Sequence, residues 1–163
     1  KFIKFDDQNI ERQFVVELLK AVGKDGTIFA HHADAVEISI LNELKKKDNC
    51  KDLADKIDNL TKRTKDTFKL VCENFYHPKM NGDYGIKSII RAIPNIDISY
   101  GGEESLTGGE DAELAWFICT DPKTSIEEKK RQIKLLKDYC SKDTLAVYYL
   151  VKYLMENIKD KKN

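Results

Sequence analysis

No apolar run in the chain approaches the roughly 20 residues that a membrane-spanning helix requires, so no membrane partner is expected. An excess of charge of one sign is missing too: Lys and Arg total 28, Asp and Glu total 28, and the formal net charge is zero. That excludes a grossly basic nucleic-acid binder, but not a local basic face. Disulfide and zinc patterns are also absent. The four cysteines, Cys50, Cys72, Cys119 and Cys140, form no C-x-x-C pair and follow no secretory signal. They are expected as buried, reduced thiols. The chain has no G-x-x-x-x-G-K-[ST], which excludes a P-loop at motif level, and Ser105 lies in no nucleophile elbow. No internal repeat is present, and the only biased stretch is the Lys-rich tail 159–163.

What is present is 163 residues, 41% hydrophobic and 34% charged, the profile of a soluble, cytoplasmic globular domain, taken as 1–158. The first residue is Lys1, and Lys1–Phe5 already alternates like a strand, so the domain is expected to begin inside a longer protein. Asp6–Asn9 offers caps for a helix over Ile10–Val22, stopped by Gly23 to Gly26. Thr27–Ala30 reads as a strand buried on both faces. A helix over Ala33–Lys47 is expected to point Val36, Ile40, Leu41 and Leu44 inward, and a charged helix follows near Lys51–Leu60. Asp66–Val71 reads as a short strand turning into a helix, 74–85 as loop, and Ile86–Ile93 as a short helix. Helices are then expected over Gly109–Cys119, Ile126–Cys140 and Thr144–Ile158, the last two parted by Ser141 as an N-cap. Trp116, Phe117, Tyr148, Tyr149 and Tyr153 fall at helical spacing and are expected in the core. Strand, helix, strand and then helices make an α/β fold with a small sheet.

Three stretches point to chemistry. Tyr139 and Asp143 are four apart, so on one helix they share a face. The carboxylate suits a hard divalent cation and the phenol an attacking water. The second stretch is Ile28-Phe29-Ala30-His31-His32-Ala33-Asp34-Ala35-Val36-Glu37, an apolar strand ending in His and leading into a helix that carries an acid. The third is Tyr76-His77-Pro78-Lys79-Met80-Asn81-Gly82-Asp83-Tyr84-Gly85-Ile86-Lys87. Plain structural roles stand beside each: a core tyrosine with a solvated aspartate, a Glu favoured by the helix dipole, and loop histidines.

In order, these stretches resemble a prokaryotic domain of unknown function, family 2779. That family reads approximately Tyr-His-Pro-x-Met-x-Gly-x-x-x-Ile-Lys. It has an Asp at the place of Asp66, a Gly-rich loop like Gly108-Gly109-Glu110-Asp111-Ala112, and an end like Tyr139-Cys140-Ser141-Lys142-Asp143-Thr144-Leu145-Ala146. The family is similar to the DnaQ-like branch of the ribonuclease H superfamily. What the resemblance implies is a five-stranded mixed sheet flanked by helices, with four acids holding two Mg²⁺ or Mn²⁺ ions for 3′–5′ exonuclease-type hydrolysis of DNA or RNA. Glu37 and Asp143 would be two of those acids, with Asp34 as runner-up to Glu37, and Tyr139 would orient water. His32 and Lys87 would meet substrate, and Asp66 would be an acid or a cap. Two features depart from the pattern. The first motif, Asp-x-Glu on an N-terminal strand, is absent. Where the second motif carries Asn, His32 or Ala33 stands. The N-terminal strands are therefore expected to be truncated, an upstream domain of the same polypeptide is an expected partner, and the fragment alone is expected to be inactive. The alternative expectation is a non-catalytic nuclease-fold scaffold.

Overall fold

The computed structural model describes residues 3–5, 9–102 and 105–159. They pack as two compact units: an N-terminal unit, Asp7–Gly85, and a C-terminal unit, Ile86–Asn163 joined by Ile3–Asp6. The sequence alone suggests one domain, 1–158.

The N-terminal unit runs α1 (Ile10–Val22), β1 (Ile28–Ala30), α2 (Glu37–Leu44), a 3₁₀ turn (Asp48–Leu53), α3 (Ala54–Arg63), β2 (Thr64–Asp66) and α4 (Thr67–Asn74). It closes with a 3₁₀ turn at Pro78–Met80. β1 and β2 pair in parallel, Ile28 with Thr64, Phe29 with Lys65 and Ala30 with Asp66. A parallel pair needs a crossover, which α2 and α3 supply. Val15, Leu41, Leu44, Cys50, Leu53, Ile57 and Leu60 form the core.

α1 keeps its expected bounds and stops at Gly23, which takes a φ of 65° that side chains disfavour. At its start Asn9 makes no side-chain cap bond, because its amide oxygen accepts from Asn49 instead. Asp6 to Gln8 lie outside the described residues. α2 begins four residues later than expected, because 32–36 are used in turns closed by Ala35 and Val36 N–H on His32 O, at 3.1 Å each. This shifts the phase: Leu41 and Leu44 are buried, while Val36 and Ile40 are exposed rather than inward. β1 is half-buried rather than enclosed, since β2 is its one neighbour among the described residues.

The C-terminal unit contains α5 (Ile86–Ala92), α6 (Gly109–Thr120) and α7 (Ile126–Lys159), with α7 packed on both others. Ile3 and Phe5 form no strand; they pack on Ala115, Cys119 and Leu136, with the Phe5 and Trp116 rings 4.7 Å apart. Lys1 and Phe2 lie outside the described residues, as do 160–163 of the tail.

α7 is one helix where two were expected. Ser141 is not a cap, because its hydroxyl donates to Lys137 O at 2.6 Å, the i−4 back-bond of a mid-helix serine. Trp116, Phe117 and Tyr148 are exposed rather than core. Ala115 and Cys119 occupy the buried side of α6, which turns its two aromatics outward. Tyr149 and Tyr153 are half-buried. None of the four cysteines forms a disulfide among the described residues, and of the four Cys50 and Cys119 are buried. Burial raises both thiol pKa values. Among the described residues, no helix is long and apolar enough to cross a membrane.

Candidate functional site

α7 presents an inward stripe at Gln132, Leu136, Tyr139, Asp143, Ala146 and Leu150, spaced alternately four and three residues apart. Leu136, Ala146 and Leu150 are buried, the last two completely. Tyr139 and Asp143 interrupt an otherwise well-packed seam, each half-buried. A helix optimised for packing alone would carry apolar residues there.

Two segments meet this interruption. α5 buries Ser88, Ile89, Ile90 and Ala92, which leaves Lys87 on another face. Its ammonium stands 4.8 Å from the centre of the Tyr100 ring and 5.1 Å from that of Tyr139, a cation facing two π systems. The two rings meet edge to face at 6.4 Å. Lys87 Nζ also donates to Thr107 O. Thr107 is held in turn, because its N–H and hydroxyl both donate to Asp111 Oδ2, at 2.8 and 2.7 Å. The N-cap of α6 is Gly108, which has no side chain to offer, so Asp111 reaches back from the first turn to fix the preceding residue. Those two bonds hold the Asp111 carboxyl below the usual range.

Burial pushes both phenols up, and the nearby Asp143 charge pushes them further, so Tyr139 reaches about 12 and Tyr100 is raised as well. Both are therefore phenols, not phenolates, at neutral pH. They can donate hydrogen bonds and cannot act as bases. The Asp143 carboxylate lies within hydrogen-bonding reach of both phenols, and its Oδ1 and the Tyr100 Oη are buried. Leaving such groups unpaired would cost roughly 1–3 kcal/mol each, so the two phenols and the carboxylate form one polar cluster inside the seam.

The other predicted residues belong to the N-terminal unit, where fold requirements account for most of them. Asp66 ends β2 and caps α4, accepting from Phe68 N–H at 2.9 Å and Asp34 N–H at 3.2 Å. Burial pushes its carboxyl up, but the N–H groups of Asp34, Phe68, Ala33 and His32 outweigh it and hold the pKa low. Asp34 pairs at the surface with Lys69. His31 is wired through both ring nitrogens, to Thr67 Oγ1 and Tyr84 O, each at 3.0 Å. A carbonyl only accepts, so Nε2 carries a proton. His32 takes a left-handed φ of 62°, and its ring stacks on Phe68 at 4.0 Å. His adopts that backbone conformation more readily than most residues, which suits it to this turn. Glu37 opens α2 as an exposed first-turn acid.

The structure thus brings Lys87, Tyr139 and Asp143 into one cluster, and His32, Asp34 and Asp66 into another neighbourhood, with Glu37 just beyond. Sequence reasoning missed Tyr100, Thr107 and Asp111 as members of the first cluster. Among the described residues, no three His, Cys, Asp or Glu side chains converge as a metal-holding group. Asp143 supplies one carboxylate beside the two phenols, fewer oxygen ligands than the roughly six or more that a divalent ion takes.

A family model, a domain of unknown function (DUF2779), matches residues 1–85, more than half of the chain. The chain belongs to the DUF2779 family. The match spans all of the described N-terminal unit and ends two residues before Lys87. No curated protein and no solved structure matches the chain.

Proposed function

We propose that this domain takes part in metal-dependent phosphodiester hydrolysis of nucleic acid, in the manner of a 3′–5′ exonuclease. The observation that carries the reading is the convergence of Lys87, Tyr139 and Asp143, which lie on two different helices. A divalent ion at such a site supplies positive charge that activates water and neutralises phosphate. Asp143 would supply a carboxylate ligand to it. Lys87 spends one donor on Thr107 O and keeps two for a phosphate oxygen. Tyr139, held protonated, orients water or phosphate by donating. Asp111 acts through Thr107 to keep Lys87 over the two rings.

The test uses the polypeptide at its natural length, incubated with 3′-labelled single-stranded DNA or RNA and Mn²⁺ or Mg²⁺. Stepwise loss of 3′ nucleotides is expected, with a fall of at least 100-fold in Asp143→Asn and unchanged activity in Glu110→Gln. Cleavage that persists in Asp143→Asn contradicts the assignment. Binding without cleavage in the wild type replaces it with the non-catalytic scaffold.

A further inference from the structure

The N-terminal unit carries an open groove of about 700 Å³ lined by residues of α1, α3 and the turns beside them. Its floor is aliphatic: Val16, Leu19 and Leu53. Val16, Leu19 and Lys20 follow at i, i+3 and i+4 on α1, and Lys56 and Arg63 at i and i+7 on α3, so each helix lends one continuous face. Both segments contribute cations, Lys20 and Lys24 from α1 and the turn after it and Lys56 and Arg63 from α3, and Asp55 is the single carboxylate of the lining.

Part of this charge is already met. Lys20 pairs with Glu17 at 2.7 Å, and Lys56 lies near Asp52, which Arg12 holds at 2.5 Å. The rest is not. The Arg63 guanidinium donates to the carbonyls of Gly23 and Gly26, at 2.8 and 2.9 Å, and no carboxylate answers it. Its Nε is buried without a partner. Lys24 is exposed and makes no ion pair among the described residues.

From this arrangement we propose that the groove docks an amphipathic helix of a partner protein, one whose apolar stripe is flanked by acidic side chains. An aliphatic valley between two helices takes a third helix through anchors at i, i+3, i+4 and i+7. Cations contributed from both helices select acids beside that stripe and reject a basic helix. A small molecule with one carboxylate would call for cations converging on one point, whereas these are distributed over α1, its following turn and two positions seven apart on α3.

The test is a display selection of helix-forming peptides against the full chain, with a Lys24→Glu/Lys56→Glu variant as counter-selection. Both lysines are exposed, so the variant is expected to keep the wild-type melting curve. Surviving peptides are expected to carry an apolar stripe bordered by Asp or Glu and to bind the wild type at least ten-fold more tightly than the variant. Shifts in the amide NMR signals of Leu19, Lys24 and Lys56 are expected to mark the contact. Survivors without the acidic border, or indifferent to the charge reversal, overturn the proposal. So does an empty selection, and if dodecanoate below its micelle concentration then saturates the same signals, the groove belongs to a small amphiphile.

Discussion

The two units treat their motif residues in opposite ways. At the strand ends of the N-terminal unit, Asp66 receives backbone N–H groups, His31 is bonded at both nitrogens, and the Thr67 hydroxyl reaches Ala30 O at 3.2 Å. Those groups tie β1, β2 and α4 together, and they suffice to explain why polar residues stand there. In the C-terminal unit, Asp143 and Tyr139 stand in the middle of a packed helix seam, with the Tyr100 phenol beside them, where the backbone needs no polar partner. Motif membership alone does not distinguish the two cases; what the fold requires at each position does. Polar groups at strand ends and helix starts meet backbone groups that need partners, whereas a helix seam calls for apolar side chains.

That contrast is open to attack by substitution. The largest effect is expected where the α7 seam is purely structural. Leu150→Ala is expected to destabilise the protein by about 2–5 kcal/mol in urea unfolding followed by circular dichroism, since Leu150 is fully buried. At the strand ends, Asp66→Ala is expected to cost about 1–2 kcal/mol through loss of the α4 cap. Its pH dependence has a definite sign. The folded pKa of Asp66 is depressed, so its contribution is fully present above the unfolded value near ~4 and lost as pH falls through the lower folded value. Asp66→Ala should flatten that acid limb, and an unchanged limb would remove Asp66 from the account.

A smaller but more specific effect concerns the phenols. Titration of the Tyr139 phenol, followed by tyrosinate absorbance, is expected near 12. Asp143→Asn should bring it down, because the carboxylate charge is gone while burial remains. The linked stability is present below the unfolded tyrosine value of about 10 and lost as pH rises through the folded one. Ser141→Ala is expected to change stability by less than about 0.5 kcal/mol, since Ser141 back-bonds inside a continuous helix. A loss near ~1 kcal/mol would restore it as a cap and break α7 in two.

Much of this architecture was legible in the sequence where local chemistry and packing agree. α1 ends at a glycine because the chain turns left-handed there, and the order of strands and helices followed from periodicity. The text failed where tertiary packing overrode local preference. Ser141 has cap chemistry, but a seam that keeps its phase from Gln132 to Leu150 carries the helix through it. For the candidate site, the i, i+4 pair of Tyr139 and Asp143 was readable, and Lys87 less so. Tyr100 and Thr107 were not, since they sit in irregular chain whose course no period reports. The one signal available was the stripe itself, in which a tyrosine and an aspartate stand where apolar residues belong, a local inconsistency of the kind functional sites leave.

Asp143→Leu tests the central claim most directly, with its unfolding free energy compared with wild type in urea at neutral pH. If Asp143 is kept for a bound ion or substrate and not for the fold, filling its place on the seam with a leucine leaves stability equal to wild type or raises it by about 1 kcal/mol. A loss as large as that expected for Asp66→Ala would show that Asp143 holds the C-terminal unit together, and would contradict its assignment to a bound ion or substrate.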